Sequence, residues 1–244
     1  MTLDGRVALV TGGAQRIGQA IALALADRGA DVALSYRTSA RQARAAVEAI
    51  QRCGARALAV QADVGRVAEV RRLIDRIARR FGRLDVLINS AATFTRTPFA
   101  ALSERDWDRA LDANLKGSFL CALYASRLMR RHGGGKIINV ADWAGLRPYR
   151  DYLPYCVSKA GVIGLTRALA KELAPGIQVN AIAPGPILPP AGMSRAARAR
   201  TARRVPLRRW GSPADIVNTV LFLIEGTDFM TGSVVSVDGG QLIA

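Results

Sequence analysis

Tyr155 and Lys159 stand four residues apart in the run Tyr155-Cys156-Val157-Ser158-Lys159. On a helix, residues at that spacing share one face, one turn apart. An ammonium held near a phenol favours phenolate, so the pairing predicts a tyrosine pKa drawn down from ~10 toward working pH. The chemistry this provides is proton donation at a site that receives hydride. Thirteen residues before the tyrosine comes Asp142, in Asp142-Trp143-Ala144-Gly145. An ionised aspartate only accepts hydrogen bonds. It would repel the oxyanion that develops on a ketone, and it suits a substrate that presents N–H groups or takes a proton on ring nitrogen. Tyr-x-x-x-Lys also arises by chance on many helices, and its weight here comes from the amino-terminal end of the chain.

There, Thr11-Gly12-Gly13-Ala14-Gln15-Arg16-Ile17-Gly18 lies between a strand-like and a helix-like run. Glycines at this place permit a tight turn and let backbone approach a pyrophosphate at a helix amino end. Thr11, Gly12, Arg16, Ile17 and Gly18 are the candidate phosphate contacts, with Arg16 where a small residue is usual. The second strand ends Ser35-Tyr36-Arg37-Thr38-Ser39. An acid at this point would bind the free ribose 2′-hydroxyl of NAD. An arginine with two hydroxyls instead suits a 2′-phosphate, which favours NADPH/NADP and makes Tyr36, Arg37, Thr38 and Ser39 candidate contacts.

The elements that must hold these residues alternate from end to end. Strands are expected at Val7–Thr11, Asp31–Tyr36, Ala57–Gln61, Val86–Asn89, Lys136–Ala141, Ile177–Ile182 and Val234–Val237. Helices are expected at Arg16–Arg28, Ala40–Cys53, Val67–Phe81, Asp106–Arg131, Tyr155–Leu173 and Pro213–Leu223. Short continuous apolar strands between amphipathic helices predict an α/β fold: a single doubly wound parallel sheet of Rossmann type with helices on both faces. No linker or low-complexity tract divides residues 1–244, which read as one domain. Pro184 to Pro206 is expected to be irregular, with a substrate lid over 186–206.

Composition narrows the classes. Half of the 244 residues are hydrophobic, enough for a sizeable core, yet no run of eighteen apolar residues suggests a membrane span. The start has no signal-peptide order, and Cys53, Cys121 and Cys156 are scattered without metal-like spacing. A cytoplasmic, reduced protein without a metal is the expectation. The net charge of +16 points toward nucleic acid or an anionic surface. However, only Lys116, Lys136, Lys159 and Lys171 among 35 basic residues are lysine, and the arginines run through the whole chain. That is compositional bias, and no nucleic-acid role is expected. The dense cluster Arg195, Arg198, Arg200, Arg203, Arg204, Arg208 and Arg209 reads as a solvated basic helix or a lid attracting an anionic ligand.

Together, Thr11-Gly12…Gly18, Asp63-Val64, Asn89-Ser90-Ala91-Ala92, Asn114, Tyr155-x-x-x-Lys159, Pro184-Gly185 and Val237-Asp238-Gly239-Gly240 resemble the short-chain dehydrogenase/reductase family along almost the whole chain. The resemblance implies that Asp63 and Val64 hold the adenine, that Asn89 and Ala91 line the cofactor, and that Tyr155 and Lys159 also contact it, Lys159 orienting the ribose. It implies that Asn114 holds a water linking Lys159 to solvent, giving a catalytic set of Asn114, Asp142, Tyr155 and Lys159. Pro184 and Gly185 would border the nicotinamide, with Ile187 in the same cofactor site. A homotetramer is implied as well, pairing the long helices across one interface.

Three departures from the common pattern resemble one branch, the pteridine reductases: Asp142 where serine is usual, Arg16 where glycine is usual, and Asn89-Ser90-Ala91-Ala92. In that branch an aromatic at the position of Phe94 stacks on the pterin. The branch therefore implies substrate binding by Arg16, Phe94, Asp142 and Tyr155. The leading expectation is an NADPH-dependent reductase of a dihydropterin- or dihydrofolate-type small molecule. A 3-oxoacyl-carrier-protein or sugar-alcohol carbonyl reductase stays open, with the arginine cluster in its favour. A nucleotide-sensing or nucleic-acid-binding protein with a relic site is the third reading.

Overall fold

In the computed structural model, which describes residues 1–190 and 192–244, the apolar runs form seven parallel strands. They are β1 Val7–Thr11, β2 Asp31–Tyr36, β3 Ala57–Gln61, β4 Val86–Asn89, β5 Gly135–Val140, β6 Ile177–Pro184 and β7 Val234–Val237. Their order across the sheet is β3-β2-β1-β4-β5-β6-β7. β1 and β4 are buried along their whole length, which is why they read as unbroken apolar runs rather than alternating ones.

The described residues form eight α-helices: α1 Arg16–Asp27, α2 Ala40–Arg52, α3 Val67–Phe81, α4 Glu104–Leu111, α5 Gly117–Arg130, α6 Leu153–Leu173, α7 Arg195–Arg204 and α8 Pro213–Leu221. Ile21, Leu25, Ala46, Ile50 and Ile216 bring α1, α2 and α8 onto one face. Val70, Leu73, Ile77, Cys121, Ala125 and Met129 bring α3 and α5 onto the other. Each large apolar side chain buried this way contributes about 1.5–3 kcal/mol, so the doubly covered sheet is a rigid base for whatever its strand ends carry.

The chain winds outward in both directions from the β1–β4 boundary. That reversal of strand order is where a doubly wound sheet opens a crevice. Register places the carboxyl ends side by side: Thr11 opposite Asn89, Asn89 opposite Asn139, and Val140 opposite Ile182. The other end of the sheet is closed. There buried Asp85 accepts from the Val7 N–H at 3.0 Å and from Arg6 and Arg83.

Two expectations are corrected. The helix expected over Asp106–Arg131 is two helices joined by a widened turn at Asp112–Lys116. Asn114 within that turn is drawn toward the Thr93 loop by paired hydrogen bonds of 2.7 and 3.1 Å, and extra residues in one turn are how a helix accommodates such a pull. The stretch expected to be irregular from Pro184 to Pro206 contains α7. No proline falls between Pro190 and Pro206, and Ser194 caps a run of alanines and arginines, which are good helix formers. Ala191, within the expected lid, lies outside the described residues.

Candidate active site

The carboxyl ends of the strands bound two connected hollows. The larger, of about 820 Å³, runs from the glycine-rich turn past Ala91, Asp142, Tyr155 and Lys159 to Gly185 and Ile187. The smaller, of about 180 Å³, lies between Tyr36, Arg37, Thr38, Ser39, Asp63 and Val64. Gly12, Gln15, Ala91 and Ala92 line both, so the two form one elongated cleft.

The glycine-rich turn fits its expected use. Gly12 has φ +65°, and a Cβ there would come within 2.9 Å of the Ala91 Cα. A Cβ on Gly18 would come within 2.6 Å of the Gly12 carbonyl oxygen. The turn is thus as close to its neighbours as backbone permits, and it delivers the start of α1 to the cleft. α1 has no side-chain cap and no acid in its first turn, so its amino-end N–H groups and dipole remain for an anion. Arg37 and Thr38 are exposed at the small hollow, where no acid competes for a ribose phosphate other than Asp63. A nicotinamide dinucleotide phosphate fits this donor set.

Not every expected contact faces the cleft. Thr11 sits behind it, its Oγ1 accepting from the Ser90 and Ala91 N–H groups at 3.0 Å and so shaping the loop that does line it. Asn89 is buried, with its amide nitrogen donating to Ser118 O and to Asn139 Oδ1 at 2.8 Å. Asn114 is 1 % exposed and donates at 2.9 Å to Ser158 Oγ, whose hydroxyl in turn donates to the Tyr155 carbonyl. These three act on the cleft through the elements they tie together.

Asp142, Tyr155 and Lys159 meet at its floor. The Tyr155 hydroxyl donates to Asp142 Oδ2 at 2.7 Å, and Asp142 Oδ1 accepts from the Ala144 N–H at 2.8 Å. Lys159 Nζ donates to the Val140 carbonyl at 2.6 Å and lies 5.8 Å from the centre of the Tyr155 ring. This geometry reverses the expected shift of the tyrosine. Burial first, then the charge of Asp142 and its hydrogen bond, push the Tyr155 phenol well above its ordinary range. The lysine is turned toward a backbone carbonyl, while the carboxylate sits on the hydroxyl. Burial also raises the Asp142 carboxyl, against the Tyr155 and Ala144 hydrogen bonds and the Lys159 charge. Burial lowers Lys159 to about 8, with Asp142 pulling the other way.

An aromatic wall stands beside this triad. Phe94 stacks on Tyr152 with ring centres 4.6 Å apart and packs edge-on against Tyr155 at 4.8 Å. Tyr149 continues the wall to Trp143, each contact 5.3 Å. Phe94 was expected here; Trp143, Tyr149 and Tyr152 were not. Their signal was present, since three of the five tyrosines of the chain fall within residues 149–155. The mouth is formed by Leu188, Met193, Thr201, Arg204 and Trp210, so α7 borders the cleft. The Trp210 indole N–H fastens α7 by donating to the Arg198 carbonyl at 3.0 Å.

Among the described residues no helix is long and apolar enough to cross a membrane, and no group of three or more His, Cys, Asp or Glu is placed to hold a metal ion.

Comparison with known proteins adds to this geometry. The family model described as enoyl-(acyl carrier protein) reductase matches residues 12–241. The 3-oxoacyl-(acyl-carrier-protein) reductase FabG of Staphylococcus aureus is 40% identical over 238 residues, covering 96% of this chain and 97% of that protein. The solved structure of a mutant short-chain dehydrogenase/reductase of Serratia marcescens superposes with a TM-score of 0.93 at 32% identity, over 99% of this chain and 100% of the other. A blue fluorescent protein from a metagenomic library, solved in complex with NADPH, gives a TM-score of 0.91 at 33% identity, over 99% of each chain.

Proposed function

This chain belongs to the short-chain dehydrogenase/reductase family, and from that premise we propose that it is an NADPH-dependent reductase of 3-oxoacyl thioesters, with Tyr155 and Asp142 handling the proton. The observation that carries the reading is the Tyr155 hydroxyl, with Lys159 beside its ring, at the floor of a cleft whose other end fits a dinucleotide. The FabG relative's printed activity supports the substrate class. So does α7, which sets Arg204 at the mouth and Arg195, Arg198, Arg200 and Arg203 on its exposed surface, suited to an acidic carrier.

The turn over residues 12–18 would hold the diphosphate, Arg37 with Thr38 and Ser39 the 2′-phosphate, Asp63 and Val64 the adenine, and Pro184, Gly185 and Ile187 the nicotinamide. Bound NADPH supplies a hydride to the substrate carbon. Tyr155 gives the proton to the substrate oxygen. Asp142 decides how readily that happens. When ionised it retains the phenolic proton and repels the phenolate left behind. When protonated it becomes a donor, taking the place of the serine hydroxyl that most family members have there. Lys159 supplies positive charge to the developing phenolate.

The pH dependence follows. Asp142 is raised, so as pH rises through its pKa the carboxyl loses its proton and carbonyl reduction slows. Lys159 titrates near 8, and above that the charge facing the phenolate is lost too. kcat with saturating NADPH is therefore expected to fall with rising pH. In Asp142→Ser the Asp142 step disappears and the lysine step remains, moved to lower pH because Asp142 no longer raises it. Superimposable profiles for the two proteins would contradict the role given to Asp142.

Cofactor choice has its own test. A charge-assisted contact contributes about 1.5–3 kcal/mol. Arg37→Ala is expected to weaken NADPH binding by roughly ten- to a hundredfold and leave NADH nearly unchanged, read by fluorescence titration. Equal losses for both would place Arg37 outside the 2′-phosphate site.

A second reading, reduction of a pterin C=N bond, is favoured by one specific arrangement: an acceptor carboxylate beside the stacked Phe94–Tyr152 pair. A planar amino-pyrimidinone would lie against that wall and donate N–H groups to Asp142. Turnover of NADPH with a 3-oxoacyl thioester against dihydrobiopterin separates the two. For assembly we infer a homotetramer. Phe119 on α5 and Val157 on α6 expose apolar surface on one side, and Phe222, Phe229 and Ile243 do so elsewhere.

A further inference from the structure

The described residues include only three non-glycine residues with left-handed backbone, Arg16, Asp151 and Arg208, and each lies on a segment beside the cleft. Arg16 has φ +55° at a position where a glycine would adopt that conformation without steric cost. Its side chain leaves the phosphate turn and crosses to the segment after β6. There its guanidinium donates to the Leu188 carbonyl at 3.0 Å and more distantly to that of Pro189 at 3.5 Å.

Ile187 packs that segment into the core, but the segment has few other hydrogen bonds. Pro186, Pro189 and Pro190 have no N–H to give. Gly211 N–H reaches Pro186 O, and Met193 N–H reaches Pro190 O. No other side chain among the described residues donates to residues 186–190. Leu188, Pro190 and Met193 in turn line the cleft next to α7.

We propose that Arg16 is a positioning residue that ties the cofactor's phosphate turn to the Pro186–Pro190 segment and so holds the substrate side of the cleft in place. An arginine suits this double duty. It keeps its charge at all working pH, and its forked N–H groups serve a backbone carbonyl and a neighbouring diphosphate together. Occupancy of the phosphate turn would then stiffen the segment that covers the substrate. The substrate-binding arm of this inference rests on the reductase reading; the tie itself does not.

The test uses Arg16→Gly and Arg16→Lys in the full chain. Glycine relieves the left-handed backbone, so the fold is expected to survive, checked by an unchanged melting transition. Hydrogen–deuterium exchange over residues 187–206 is measured with and without NADP. In the native protein NADP is expected to slow exchange there. In Arg16→Gly exchange should be about tenfold faster, the scale of one lost charge-assisted hydrogen bond at an exposed site, and NADP should no longer slow it. Lysine, a single point charge, should restore NADP affinity more than it restores segment protection. KM for a 3-oxoacyl thioester is expected to rise about tenfold in Arg16→Gly, measured at NADPH concentrations that saturate the variant. Exchange over 187–206 that is unchanged in Arg16→Gly would overturn the proposal, whatever KM does. Failure of the native protein to reduce the thioester would count against the substrate reading and leave the exchange result to decide the tie.

Discussion

Tyr155→Phe is expected to lower kcat for NADPH-dependent reduction by about 10²–10⁴-fold, the usual contribution of a placed general acid. The hydroxyl is the group nearest the cleft floor that can hand a proton to substrate, and phenylalanine removes it without emptying the space. Tyr155 is 7 % exposed, and its ring packs against Phe94, a contact phenylalanine preserves. The fold should therefore be unchanged. The variant also leaves Asp142 without its hydrogen-bond donor. Asp142 then has only the Ala144 N–H and the Lys159 charge to oppose burial, so its pKa should rise further. A variant retaining more than about a tenth of native kcat would assign the proton to another group.

Asp142→Ser separates the substrate classes by sign. For a dihydropterin the change removes the acceptor for its N–H groups and a proton carrier, so turnover should fall by about 10²–10⁴-fold. For a 3-oxoacyl thioester the same change restores a hydroxyl donor and removes the charge that holds the Tyr155 pKa up. One pKa unit corresponds to about 1.4 kcal/mol. Each unit recovered in Tyr155 should thus raise carbonyl turnover by up to about tenfold at neutral pH. Combined with Tyr155→Phe, it should cost little beyond the tyrosine change alone, because both residues act on one proton path. A tenfold or larger fall for the thioester would show that the carboxyl itself does work there that serine cannot replace.

Much of the fold is legible because strands buried on both faces leave uninterrupted apolar runs. Val7–Thr11 and Val86–Asn89 needed no tertiary information to be read as strands. The cleft was legible for the related reason that ligands in such sheets gather at strand carboxyl ends. Sequence fell short where the outcome depends on partners distant along the chain. The widened turn at Asn114 answers to Thr93 and Ser158, and helix periodicity does not report a side chain pulled sideways. Arg195–Arg204 has no apolar stripe, so the arginine cluster stayed open between a solvated helix, which α7 is, and a lid within an irregular stretch. The tyrosine shift was misjudged in direction. Spacing puts Lys159 near Tyr155, yet it does not say that Nζ turns to Val140 O or how deeply the phenol is buried beside Asp142. Arg16 was expected at phosphate and substrate. Its reach to Leu188, 172 residues away, has no local signature.

The most direct test follows NADPH oxidation at 340 nm by the native protein, with a 3-oxoacyl thioester presented as the free coenzyme A ester and on an acyl carrier protein, and with dihydrobiopterin in parallel. The account predicts turnover of the thioester with NADPH well above NADH, faster on the carrier than on coenzyme A, and slowing as pH rises. Oxidation of NADPH with dihydrobiopterin and none with either thioester would contradict the carbonyl reading and return the substrate to the pterin class.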